Sequence, residues 1–292
     1  MASGNVRFDH FLTYVEAPSI DRYLERYRST GFLVSDRTER HDPGLRNGVV
    51  FFGSQYIEFC WVEDEALFSK GEPDEAVMRR AHRPFAIGLV SEDIQATHDD
   101  WLARGRDLPK VFSKAERGAD NVPPSWSFQE IPEALLPGAW CFALTYHIRR
   151  PPERIAPNST YAIAGTTFVS SSAEEHAAAW RDLLAPEASI DSSDEAYRVT
   201  IGPHIARWME PRQYERRYGR SWEPALHRFG ELAILHVLAT DLQRVQSALV
   251  GSGREVIPVD PPSTDEPGLF LPPDAQDGFS FVVTEQPIGK VK

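Results

Sequence analysis

Two residues able to do chemistry stand inside the two most apolar strand-like runs of the N-terminal quarter. His10 lies in Val-Arg-Phe-Asp-His-Phe-Leu-Thr-Tyr-Val (6–15) and Glu58 in Gln-Tyr-Ile-Glu-Phe-Cys-Trp-Val (55–62). An imidazole nitrogen and a carboxylate oxygen make a ligand pair suited to a divalent Zn, Fe, Mn, Co or Ni. Such an ion polarises vicinal oxygens of a substrate or lowers the pKa of a bound water. The same two residues can also act without a metal as a proton-transfer pair, with Glu58 the natural base for enolisation beside a carbonyl. A carboxylate in an apolar strand is costly to bury unpaired, so Glu58 requires a partner, which a protonated His10 can supply.

Strand alternation supplies the geometry. Ile57, Phe59 and Trp61 share one face and suit packing beneath a helix, which sends Tyr56, Glu58 and Cys60 to the other; His10 shares its face with Phe8, Leu12 and Tyr14. Applying the same rule to Ala139–Ile148 places Trp140, Phe142, Leu144 and Tyr146 beneath a helix. His147 then faces the opposite side, as a third metal ligand or an acid/base alongside Glu58. His41, Arg46 and Asn47 belong to a polar loop, 39–46 and the residue after it, placed to close over a ligand, and have the donors to hold a ligand's carboxylate or carbonyl. Trp126 is placed either in the wall of that pocket or in the core. In the second half, counting back from Asp241 puts Ile234 rather than His236 where the first unit has His10, and the last strand has no carboxylate before Glu285.

These residues are positioned by a pattern that repeats. A strand with His10 is followed by an apolar stripe at helical spacing (Ile20, Tyr23, Leu24, Tyr27), Gly31, and three further strands ending with the Glu58 run. The order recurs from Pro84, with a helix over 94–104 and strands over 108–115, 126–130 and 139–148. It recurs again from Thr160, with a helix over 173–184, and from Glu231, with a helix over 242–249. Four βαβββ units in two halves predict an α+β fold. The Pro-rich stretch Arg149–Asn158 divides the chain into 1–150 and 151–292. Residues 211–228, with Trp222 and many arginines, fit no element of the repeat.

Tandem βαβββ units with His in a first strand and Glu in a last strand resemble the vicinal oxygen chelate superfamily of glyoxalases, extradiol dioxygenases, epimerases and antibiotic-binding proteins. Residues 7 to about 148 are similar to its glyoxalase-like domain family. The stretches that carry the likeness are Phe8-Asp9-His10-Phe11, the run from Arg40-His41 through Arg46-Asn47-Gly48 to Tyr56-Ile57-Glu58, and Leu136-Pro137 leading the strand to His147. The resemblance implies cup-shaped mixed sheets facing around a pocket, with first and fourth strands adjacent, so that His10 and Glu58 are neighbours in the concavity. It implies a small-molecule enzyme of lyase, isomerase or dioxygenase type, with His10, Glu58 and His147 as candidate metal ligands. The departure from the family pattern is in the second unit, whose first strand offers Ala86 and Gly88 and no His. That departure keeps open the alternative of a metal-free protein that binds and sequesters a small molecule, and also that pairs of chains, as a homodimer, share the cups.

The totals exclude several other classes. A net charge of -12 over 292 residues without a basic cluster argues against nucleic acid as a partner. Two cysteines, Cys60 and Cys141, both in apolar runs, make no disulfide framework. No apolar stretch reaches membrane-spanning length and the N-terminus lacks a signal-type apolar core, so the expectation is a cytoplasmic protein without a membrane partner. Gly-rich phosphate loops, Cys-x-x-Cys pairs and nucleophile elbows are absent from the sequence.

Overall fold

The computed structural model describes residues 6–15, 20–35, 39–42, 44–68, 85–115, 124–147, 154–193, 195–222, 231–259, 268–272 and 279–286. The side chains of His41 and its strand neighbours, Pro43, the first part of the predicted linker (149–153) and residues 223–228 lie outside them. The first half is a nine-stranded sheet. Its elements are β1 (Arg7–Tyr14), α1 (Ile20–Ser29), β2 (Leu33–Val34), β3 (Glu39–Asp42), β4 (Leu45–Phe52), β5 (Gln55–Val62), α2 (Glu65–Phe68), β6 (Phe85–Val90), α3 (Ile94–Ala103), β7 (Phe112–Ala115), β8 (Pro124–Ile131) and β9 (Trp140–Tyr146). The second half is an eight-stranded sheet. It comprises β10 (Thr160–Val169), α4 (Ala173–Leu184), β11 (Asp191–Ser192), β12 (Tyr197–Ile201), β13 (His204–Met209), α5 (Pro211–Tyr218), β14 (Leu232–Ala239), α6 (Leu242–Gly251), β15 (Ile257–Val259), β16 (Gly268–Leu271) and β17 (Phe281–Glu285).

The two units of each half join through their first strands, β1 with β6 and β10 with β14, both antiparallel, so each half is one open, cup-like α+β sheet. The first and last strands of a unit pair in parallel, as β1 does with β5 and β10 with β13. The polar stretch expected as a loop over 39–46 is instead a hairpin, β3 against β4, turned at Gly44 with φ 75°. Backbone pairing there outweighs side-chain polarity, because an edge strand leaves one side of every residue in water.

Helix-bearing faces of both sheets enter a single core. Tyr23 stacks on Phe59 at 5.5 Å beneath α1, and Phe8 stacks on Trp180 of the other half at 6.0 Å. Trp180 also donates its indole N–H to the Pro137 carbonyl (3.0 Å), and Trp101 donates to the Leu183 carbonyl (3.2 Å), so α3 and α4 bind the halves reciprocally. Asn158, at the end of the predicted linker, is buried; its backbone N–H donates to the Gly31 carbonyl and its amide to the Thr30 carbonyl. Among the described residues no helix is long and apolar enough to cross a membrane.

Residues 211–222 hold an element that periodicity did not reveal. Glu210 and Gln213 form a capping box, Pro211 occupies the first turn, and Gly219 ends α5 in the left-handed conformation. The helix lays Tyr214 and Tyr218 against Met209, Ile234, Phe270 and Val282, filling the concave side of the second sheet with aromatic rings.

Candidate active site

The concave face of the first sheet is assembled along one row of paired residues: Tyr56 on β5, His10 on β1, Gly88 on β6 and Phe142 on β9. His10 lies parallel to the Tyr56 ring (4.6 Å, 4°) and tilted to Phe142 at 5.3 Å. Gly88 makes the space: a Cβ there would come within 2.2 Å of His10 Cε1. The imidazole therefore lies across the neighbouring strand, a placement no other residue at 88 allows without displacing it.

A bulge between Phe8 and His10 changes the local alternation. Asp9 is turned to the same side as His10, and its Oδ2 takes the His10 Nδ1 hydrogen bond at 2.8 Å. The Tyr146 hydroxyl donates to the same oxygen at 2.8 Å and sits 2.9 Å from the Tyr56 hydroxyl. Because Tyr146 has a single hydrogen and gives it to Asp9, Tyr56 must be the donor to Tyr146. The chain runs from Tyr56 through Tyr146 to Asp9, which also receives His10 Nδ1–H. The tautomer with its proton on Nδ1 presents Nε2 as a lone pair. Burial first, then the charges of Tyr146, Asp9 and Glu58, push the Tyr56 phenol well above its ordinary value, keeping it a neutral donor.

Glu58 stands two residues along β5 from Tyr56, opposite Leu12 on β1 and Val49 on β4. Its Oε1 accepts Asn47 Nδ2 at 2.7 Å and the Cys60 thiol at 3.6 Å. The carboxylate and the imidazole thus each have their own partner, Asn47 and Asp9, rather than one another. Leu12, Tyr14, Leu45, Cys60 and Val62 form an apolar cluster on this side of the sheet.

The other sequence candidates divide. Trp126 pairs directly with Tyr146 across β8 and β9, so it stands on the concave face beside the Asp9 chain. Arg46 lies on the opposite face from Asn47, its guanidinium 5.8 Å over the Trp61 ring and 3.9 Å from Glu63. The side chain of His41 is outside the described residues. His147 is exposed just past β9, bonded to Ser127 at 2.8 Å, away from the His10 group. The parity expected for β9 is reversed. Phe142 and Tyr146 face the cup, whereas Thr145 bonds the Ile94 N–H at the start of α3. Small residues, Cys141 and Ala143, lie on the α3 side of β9 because the sheet there is packed closely. Asp9 and Tyr146 were missed for the same reason, since both required a departure from the assumed alternation. The small side chains of Cys141 and Ala143 were the available signal for β9.

Residues 8–184 match the family model of the glyoxalase-like domain. The chain belongs to the glyoxalase-like domain family. It has the fold of the vicinal oxygen chelate superfamily. Among solved structures it is similar to the Mn(II)-bound glyoxalase from Novosphingobium aromaticivorans, with TM-score 0.60, 10% identity, and 97% of this chain and 82% of that one covered. It is also similar to a catechol 2,3-dioxygenase, with TM-score 0.58, 10% identity and 98% and 89% covered. A mutant of 4-hydroxymandelate synthase from Streptomyces coelicolor aligns at TM-score 0.58 and 12% identity, over 97% and 93%. No curated protein is matched by sequence. The glyoxalase-like match extends beyond residue 150 to the end of α4, the helix that carries Trp180 into the N-terminal half.

Among the described residues of this glyoxalase-like chain, no group of three or more His, Cys, Asp and Glu side chains could hold a metal ion. His10 Nε2 and Glu58 offer two donors, and the described donor set stops there.

Proposed function

We propose that this glyoxalase-like protein is a small-molecule enzyme of isomerase or lyase type whose active site is the concave face of its N-terminal half. The reading rests on one observation: the Tyr56–Tyr146–Asp9 chain ends on His10 Nδ1 and leaves Nε2 as a base. Asp9 is a positioning residue that selects the tautomer and stabilises the imidazolium once Nε2 takes a proton. Glu58, held by Asn47 from the neighbouring strand, is the second proton-transfer group. Two such groups on one apolar floor suit removal of a proton next to a carbonyl and its return elsewhere on the same molecule. Residues 1–150 supply this chemistry, and 151–292 brace it through Trp180.

A second reading adds a divalent metal. A histidine that ligates a metal through one nitrogen commonly gives its other N–H to a carboxylate, as His10 does to Asp9. His10 Nε2 and Glu58 would hold the ion, which supplies polarisation of vicinal oxygens. The chain's own part is unchanged: Asp9 orients His10, and Asn47 orients Glu58. A metal-free sequestering protein is the remaining alternative, and catalysis separates it from both.

The test is proton exchange in D2O, followed by NMR at the carbon beside the carbonyl, over a panel of α-hydroxyketones and 1,2-dicarbonyls. It is run on the wild type, His10→Ala, Glu58→Gln and Asp9→Asn. Exchange by the wild type that falls about 100-fold or more in His10→Ala supports the assignment. Binding without exchange points to sequestration, and full exchange in both His10→Ala and Glu58→Gln moves the site elsewhere. Metal analysis of the purified protein, with and without chelator, distinguishes the two catalytic readings.

A further inference from the structure

The concave side of the second sheet contains a concentration of positive charge that the N-terminal site does not use. Arg198 on β12 and Arg207 on β13 are directly paired across the strands, an arrangement that like charges disfavour. Arg217 on α5 joins them, and the charges of Arg198 and Arg217 both bear on Arg207. Arg207 is only 7% exposed. Its Nη1 reaches the Ile205 carbonyl at 3.3 Å, over Gly165, where a Cβ would stand 2.6 Å from that nitrogen. Among the described residues, Arg207 Nε and both Nε and Nη2 of Arg217 are buried without a hydrogen-bond partner. The acids nearby are peripheral: Glu195 is 3.5 Å from Arg217 and Asp191 is 3.5 Å from Arg198, and both carboxylates are exposed. Arg207 has no carboxylate among the described residues.

A guanidinium taken out of water without a counter-ion costs several kcal/mol, and its planar fork of donors matches an oxyanion. We propose that Arg207 and Arg217 form a second binding site, for the carboxylate or phosphate group of a small anionic ligand, on the concave side of the C-terminal sheet. Each guanidinium brings N–H groups that lack acceptors among the described residues, and the ligand's oxygens would supply those acceptors. Burial, with the neighbouring arginine charges, draws Arg207 down to about 10, the response of a cation whose counter-ion is missing. Among the described residues His236 shares a hydrogen bond with the Thr167 hydroxyl at 2.7 Å, and burial together with Arg207 keeps it well below its ordinary value. It therefore adds no charge at neutral pH, and specificity for the oxyanion falls to the arginines.

The experiment is thermal shift and titration calorimetry on the full chain with inorganic phosphate and with oxalate, against chloride at matched ionic strength. The expected result is a saturable stabilisation by phosphate or oxalate that chloride does not reproduce, with affinity weakened roughly tenfold or more in Arg207→Met and in Arg217→Gln. Arg207→Met keeps the side-chain volume, and replacing an unpaired buried charge by an apolar chain leaves the fold intact. A stabilisation no larger than that of chloride overturns the proposal. So does an oxyanion effect that survives in Arg207→Met but disappears in His10→Ala, because the anion then belongs to the N-terminal cup. Retention of the effect in His10→Ala together with its loss in Arg207→Met supports two separate sites.

Discussion

The two halves share a topology and treat their concave faces in opposite ways. In the first, His10 on β1 faces Gly88 on β6; in the second, Gly165 on β10 faces His236 on β14, so histidine and glycine are exchanged across the central pair. In the first half Asp9 backs the histidine and Asn47 holds the nearby Glu58, and among the described residues the helix after β5 is the four-residue α2. In the second, α5 follows β13 directly and covers the concave face with Tyr214 and Tyr218, leaving arginines rather than carboxylates beneath. The same scaffold therefore yields a histidine–carboxylate face on one side and a cationic, aromatic-filled face on the other. What differs is which strand of the central pair carries the glycine and which the histidine.

The contrast can be broken at several points. Trp180→Ala removes the ring that joins the halves, and a loss of about 3–5 kcal/mol is expected in urea unfolding. Its partners Phe8, Phe168 and Trp208 lose their contacts with it together. Acid should attack the second half through its buried histidines. His204, stacked on Phe8 at 3.7 Å, is drawn down from 6.5 to about 3 by burial and then by the charge of Arg207, against an opposing backbone hydrogen bond at Ile163. The unfolded chain binds that proton below about pH 6.5 and the folded chain does not. Stability should therefore rise with pH between about 3 and 6.5 and be lost as pH falls through that window. Urea unfolding at pH 4 and pH 7 measures the slope, which His204→Gln should flatten.

Gly88→Ala and Gly165→Ala form a matched pair. Each should cost about 1–3 kcal/mol through overpacking. The first places a Cβ against His10 and should abolish carbonyl-adjacent proton exchange. The second presses on Arg207 Nη1 at 2.6 Å and the Ile205 carbonyl at 2.7 Å, and should spare exchange while removing the phosphate effect. Equal effects of both variants on both readouts would dissolve the distinction between the cups. Asn47→Ala should have the smallest effect on stability, about 1–2 kcal/mol, from the unsatisfied Glu58 carboxylate. Its larger signature is slower exchange without weaker binding.

Much of the scaffold could be read from the chain. The βαβββ order and the helix-side packing of Ile57 and Phe59 follow from periodicity and burial, and the adjacency of β1 and β5 was implied by the family resemblance. The placement of His10, Glu58 and Asn47 on the concave face was legible, and side-chain placement became illegible wherever alternation failed. Asp9 and Tyr146 reach the cup only through a bulge and a reversed β9, while Arg46 turns away to Trp61. Helix α5 was hidden because its capping residues, not an apolar stripe, define it.

By itself, then, the sequence determined the repeat, the strands that carry the imidazole and the carboxylate, and membership of a recognisable family, because local alternation and helical spacing are properties of neighbouring residues. Tertiary structure alone decided the partners: Asp9 rather than Glu58 for His10, Asn47 for Glu58, and arginines facing arginines under α5. Those choices depend on register between strands, where a single bulge or a one-residue change of parity moves a side chain to the other face of the sheet.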